Sequence, residues 1–311
     1  MMHDRKIRIA DVIRVLVLIV ALSVLLYPTV SNYLNSKNSS TIAGNYDDDV
    51  QQMTDTEKQK MWDDAVAYNR TLVGNTSFSD PFSGDAEDRD EVYESLLNVD
   101  GNGMMGYIKI PKIDVMLPVY HGTEEKVLQV AAGHISTSSL PVGGESTHTV
   151  LTGHRGLPSA RLFTDLDQIV EGDIFYLNIL DRTLAYKVDQ ILTVLPHETE
   201  ALEITEGEDY ATLVTCTPYA INTHRLLIRG HRIPYVEAVA AVPDEADGFY
   251  IPFEILVLII ALLILLVVFI IWRILAHRKS RAAGGAGAGY AQGRAGQDVR
   301  RRRHRRRRSR K

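Results

Sequence analysis

The chain contains a single cysteine, Cys216, at the end of the apolar run "YATLVTC" and two residues before Pro218. With no second thiol in the chain, an internal disulfide is excluded. What remains is an inert buried thiol, an intermolecular bridge or a nucleophile. A nucleophilic thiol must be reachable as thiolate, and a strand end facing a loop-lined cleft suits that need. Acyl transfer from such a thiolate also needs a proton carrier and a group for the developing oxyanion. His121, His134, His148, His154, His197, His224 and His231 are the candidate carriers in the segment around it. His154 has the best setting, in "VLTGHRG", a strand running into a glycine-flanked turn. Arg225 opens the apolar run "HRLLIRG" that follows the cysteine. If the two runs are adjacent antiparallel strands, Arg225 lies beside Cys216, where a guanidinium can hold a carbonyl oxygen. Pairing with a surface carboxylate explains Arg225 equally well at this point. No CxxC, HExxH, P-loop or GxGxxG pattern occurs, so no metal or nucleotide cofactor is expected.

The elements that must carry these residues are mostly short strands. "MMGYIKIPKIDVMLPVYHG" alternates around Pro111 and Pro118, and "STHTVLTGHRG" ends at the Gly-His turn. Residues 173–196 read as two or three strands turning near Asp181 and Arg182, and an eight-residue loop at about 217–224 joins the cysteine strand to the next. "SARLFTDLDQI", 159–169, reads as a short helix. "TDTE" at 54–57 is a capping box opening a helix over 54–71, and 31–50 reads as a polar linker. Many short strands with frequent turns predict a mainly β fold, a barrel or sandwich.

Charge sets the compartment. Residues 31–250 carry 15 basic and 35 acidic side chains, whereas 251–311 carry 15 basic and two acidic. Two apolar stretches sit at the boundaries. From Ile255 to Trp272 there is no charge, polar group, Gly or Pro, a length that suits a membrane span. "VLVLIVALSVLLYPTV", 15–30, follows Arg5, Lys6, Arg8 and Arg14. No convincing cleavage site follows, "TIA" at 41–43 being weak, so it reads as an uncleaved anchor. The positive-inside rule then puts both termini in the cytoplasm and the acidic middle outside. The tail "RRRRHRRRRSRK" holds topology and touches anionic membrane lipid, and no nucleic-acid partner is expected.

"TLVTCTPYAINTHRLLIRG", 212–230, resembles the active-site signature of the sortases, a TLxTC motif followed by an arginine on the next strand. "GYIKIPKIDVMLPVYHG" is similar to their opening strands and "LTGHRG" to their histidine motif. The nine-residue gap from Cys216 to Arg225, the two apolar stretches and "DPF" at 80–82 resemble the pilus-assembling class C sortases. The resemblance spans roughly 55–275. It implies a closed β-barrel of about eight strands with short helices, plus N- and C-terminal transmembrane helices. It also implies a cysteine transpeptidase that cleaves an LPxTG-like sorting signal through a thioacyl-enzyme on Cys216. His154 would move protons, and Arg225 would stabilise the oxyanion or position the substrate. The partners implied are pilin subunits joined through an acceptor lysine, and Asp80, Pro81 and Phe82 would belong to a lid over the cleft. A peptidase using water, or a cell-wall-anchoring sortase, would use the same three catalytic residues. A non-enzymatic anchored scaffold would instead keep an unreactive thiol.

The organisation expected is a cytoplasmic N-terminus and anchor over 1–30, and an outer linker, helix and lid over 31–103. The catalytic barrel follows over 104–240, a juxtamembrane segment and second span over 241–276, and a cytoplasmic basic tail over 277–311.

Overall fold

The structure is a computed structural model. It describes residues 9–74, 78–83, 91–236, 238, 256, 259–262, 264, 265 and 269. The chain divides into two compact units, residues 1–248 and 249–311. The second apolar stretch lies largely outside the described residues, and the basic tail wholly so.

The β-rich part of the first unit is a closed barrel. Its strands are β1 (Met104–Ile110), β2 (Val115–His121), β3 (Ala132–His134), β4 (Thr147–Thr152), β5 (Ile174–Ile179), β6 (Arg182–Val194), β7 (Asp209–Thr217) and β8 (His224–Ile233). They close in the order β1-β2-β3-β4-β7-β8-β6-β5. The pairs β2/β3 and β4/β7 are parallel and the others antiparallel. Closure removes the exposed edges that an open sheet must protect. The interior is filled by buried side chains, among them Ile108, Val119, Leu151, Phe163, Phe175, Tyr186, Leu213 and Ile228.

Strand β7 is central, and six successive residues from Ala211 to Cys216 are buried. The run is therefore apolar or threonine throughout rather than alternating. Its hydroxyls find partners: Thr212 Oγ1 meets His148 Nε2 at 2.7 Å, and Thr215 Oγ1 donates to the Gly153 carbonyl at 2.7 Å.

Three expectations need correction. Residues 31–50 are not a linker. They are the second half of α1, a helix running from Ile9 to Gln52 with Pro28 inside it. Asn, Ser and Asp lower helix propensity there, but Ala43, Tyr46 and Val50 recur on one face and are buried against the barrel. Tyr46 donates to the Met105 carbonyl and accepts from the Leu180 amide, both at 2.9 Å. Tertiary packing overrides local preference at this point. Second, 159–169 is not a helix but a run of turns with a 3-10 segment at Leu166–Gln168. Third, the β7–β8 connection is 218–223, shorter than expected.

Helix α2 (Asp55–Leu72) starts at the predicted capping box, with Glu57 N donating to Thr54 Oγ1 and the Thr54 amide donating to Glu57. Its Asn69 donates to the Leu140 carbonyl at 3.0 Å and accepts from the Leu140 amide at 2.7 Å, tying the helix to the barrel. Two short helices also belong to the described part, α3 (Glu91–Ser95) and α4 (Glu125–Leu128). Among the described residues, one helix, the N-terminal one, is long and apolar enough to cross a membrane. Leu16, Val17, Ile19, Val20, Val24 and Leu25 on it are exposed.

Candidate active site

Cys216 and Arg225 are directly opposed across the antiparallel β7/β8 pair. Strand β4 runs parallel to β7 with Thr152 beside Val214, so two residues further on His154 comes level with Cys216. The backbone there is fixed. Gly153 N donates to the Val214 carbonyl at 3.1 Å, and its own carbonyl receives the Thr215 hydroxyl. Position 153 also has no room for a side chain, since a Cβ would stand 2.8 Å from the buried Phe163 ring. The structure thus brings His154, Cys216 and Arg225 to one end of the barrel.

Arg225 is 8% exposed and its guanidinium is heavily engaged. Its Nε and Nη2 donate to the two Asp80 oxygens at 2.7 and 2.6 Å, and Nη1 donates to the Asn222 and His224 carbonyls. The Phe82 ring lies 5.1 Å from the guanidinium carbon and 5.5 Å from the His154 ring. Asp80 and Phe82 sit on one turn, closed by Ser83 N donating to the Asp80 carbonyl, with Pro81 between them. Phe82 and Phe78 pack on an apolar cluster of Ile135, Val150, Leu202, Val214 and Leu227. This segment therefore lies against His154 and Arg225 and packs on the apolar cluster beside them.

The thiol of Cys216, 7% exposed, is pushed up from its usual pKa by burial. Arg225 pulls it down, and Asp80 pushes it up again.

Three other histidines are structural. His134 is wholly buried between the Tyr93 hydroxyl and the Ser139 carbonyl, and burial lowers its pKa to about 3. His148, bonded to the Glu203 carbonyl and Thr212, is lowered to about 4 by burial. His121 spans the Gly103 and Leu96 carbonyls. His197 is exposed, while His224 contacts Thr223 and His231 approaches Asp189. Among the described residues, no group of three or more His, Cys, Asp or Glu is arranged to hold a metal ion.

Sequence reasoning missed three contributors. Thr215 anchors the turn that carries His154, Phe78 is a second aromatic on the covering segment, and Glu125 Oε2 lies 3.1 Å from His154 Nε2. Glu125 is 29 positions from its partner, and nothing local marks it.

Comparison with known proteins fits this geometry. Residues 108–233 match the Sortase domain model. Sortase A of Bacillus anthracis is 30% identical over 155 residues, covering 50% of this chain and 71% of that one. The chain belongs to the sortase family. It is a cysteine transpeptidase by that membership. Solved structures similar to it include sortases C. The Streptococcus pneumoniae sortase C structure, solved with attention to catalysis and pilin substrate specificity, is 50% identical with a TM-score of 0.59. It covers 63% of this sortase and 97% of its own chain. Sortase C-1 of Actinomyces oris is 43% identical, TM-score 0.54, covering 57% and 98%. These neighbours support a class C sortase.

Proposed function

We propose that this sortase is a membrane-anchored pilus polymerase whose nucleophile is Cys216. The observation that carries the reading is the opposition of Cys216 and Arg225 beside His154, under a segment that grips Arg225 through Asp80. The Cys216 thiolate attacks the Thr–Gly carbonyl of an LPxTG-like signal on a pilin. Arg225 holds the oxyanion once Asp80 has let go. The C–N bond breaks, and His154 gives its proton to the departing amine. A lysine amine of a second pilin then attacks the thioester, passes a proton to His154, and an isopeptide bond forms as the thiolate leaves. No cofactor enters these steps.

The test uses full-length protein in detergent with a sorting peptide and a lysine-bearing acceptor. The expected product is the isopeptide-linked pair. Hydrolysis alone, with acceptor in excess, would make the protein a thiol peptidase instead.

The segment Asp80-Pro81-Phe82 acts as a lid that keeps the site closed until a pilin arrives. Asp80→Ala removes the two-pronged hold on Arg225 and the charge that raises the thiol's pKa. Both changes favour thiolate. Alkylation of Cys216 by a bulky reagent therefore becomes faster at neutral pH, and its rate–pH curve rises at lower pH than in the wild type. Phe82→Ala speeds alkylation through access. Wild-type rates and pH curve in both variants would leave the segment an ordinary turn.

The apolar start of α1 supports an anchor at the N-terminus. With Ala43 buried against the barrel, cleavage after "TIA" would cut a packed helix. The second span over 251–272 and cytoplasmic termini rest on charge and apolar length in the sequence. Protease added to intact protoplasts is expected to digest the middle of the chain and spare an epitope placed after Lys311. Loss of that epitope would leave one anchor in place of two.

A further inference from the structure

The proton carrier has a carboxylate behind it. Glu125 is the first residue of α4, and its Oε2 stands 3.1 Å from His154 Nε2. The other carboxylate oxygen, Oε1, accepts from the Gln129 side-chain amide at 3.0 Å, so Glu125 is oriented by the C-cap residue of its own helix. The helix is seated by Val127 and Leu128, both buried, with the Val127 carbonyl receiving the Ala131 amide just before β3. The imidazole also contacts the Phe82 ring of the proposed lid, at 5.5 Å between ring centres. The carboxylate belongs to the barrel's own connection, so the pair does not depend on the lid being closed.

The Glu125 carboxyl is held below its usual range, first by the Gln129 amide and then by His154. An ionised carboxylate has lone pairs and no proton, so His154 Nε2 must be the donor. The neutral ring then keeps its lone pair on Nδ1, and a second proton is gained and lost at Nδ1. We propose that Glu125 is a positioning residue that fixes His154 in the Nε2–H form, so that Nδ1 exchanges protons with the departing and incoming amines. Glu125 touches no reacting atom; it acts through the histidine. The inference rests on the reading of His154 as the proton carrier.

Because the Glu125 side chain is two-thirds exposed, the kinetic effect is modest. Glu125→Ala should lower kcat about fivefold, the upper range for an exposed ion pair, and leave KM unchanged. Glu125→Gln should recover most of that loss, because its amide oxygen can still accept Nε2–H. The deciding readout is imidazole nitrogen NMR on full-length, histidine-labelled protein in detergent, at a pH where the ring is neutral. The His154 signals are those that vanish in His154→Ala. The expected result is the Nε2–H pattern in the wild type and Glu125→Gln, and a mixture of tautomers in Glu125→Ala. An unchanged tautomer in Glu125→Ala overturns the proposal, whether kcat falls or not, because a fall without it is merely structural. Wild-type turnover in His154→Ala would sink the proton-carrier reading itself. An inactive His154→Ala beside a fully active Glu125→Ala with wild-type tautomer would sink this inference alone.

Discussion

Cys216→Ala abolishes transpeptidation, and His154→Ala loses about 10²–10⁴-fold, the usual contribution of a positioned acid–base group. The Cys216 effect is the larger because no other thiol exists in the chain to take the acyl group. The fold survives both changes. Cys216 sits at the end of its strand, and removing one sulfur costs on the order of 1 kcal/mol as a small void. The strand's register with β4 and β8 is held by backbone bonds that the substitution does not touch. His154 is followed by Arg155, whose guanidinium reaches the Thr164 carbonyl, Thr217 and Asp167, so the turn keeps its shape without the imidazole. Turnover of a sorting peptide with an amine acceptor, measured beside a thermal melt, checks both points. A folded Cys216→Ala protein that still ligates would remove the thiol from the mechanism.

Arg225→Ala loses about 10²–10³-fold in kcat, the scale for deleting an oxyanion donor. Arg225→Lys recovers only part of it. The reason lies in geometry. Arg225 spends Nη1 on two backbone carbonyls and presents Nε and Nη2 as a flat pair, now filled by the two oxygens of Asp80. A substrate oxyanion can take the place of a carboxylate on that pair once the lid lifts. An ammonium is a single point of charge and cannot hold the two carbonyls and the oxyanion together. Steady-state kinetics on both variants decides between a directed donor and a generic charge; near wild-type kcat in Arg225→Lys would favour the latter.

Much of this site was legible before any coordinates. The "TLVTC" run, the Gly-His turn and the arginine opening the next apolar run each carry a local signal, and a short connection forces neighbouring strands together. That connection is why the Cys216–Arg225 opposition could be expected from spacing alone. The parallel β4/β7 pair could not, because it joins residues about 60 positions apart with no turn chemistry between them. The contact of His154 with Glu125 was hidden for the same reason. Residues 31–50 misled in the opposite direction. Their polar composition is that of a linker, and only the barrel surface they pack on reveals Ala43, Tyr46 and Val50 as a buried stripe. At 159–169, Leu162, Phe163 and Leu166 are buried, but they reach the core from successive turns around Gly153 and not from a helical face. Asp80 was readable as part of a lid only through the resemblance, and its contact with Arg225 spans 145 positions with no local signal.

The central claim is that Cys216 becomes acylated. The most direct measurement is the intact mass of the full-length protein after incubation with an LPxTG-type peptide and no amine acceptor, using wild type and the unlatched Asp80→Ala. The account predicts a mass gain equal to the peptide's acyl part through its threonine, larger in yield for Asp80→Ala, reversed by hydroxylamine and absent in Cys216→Ala. Peptide cleavage with the protein mass unchanged throughout, or an adduct that persists in Cys216→Ala, would contradict it.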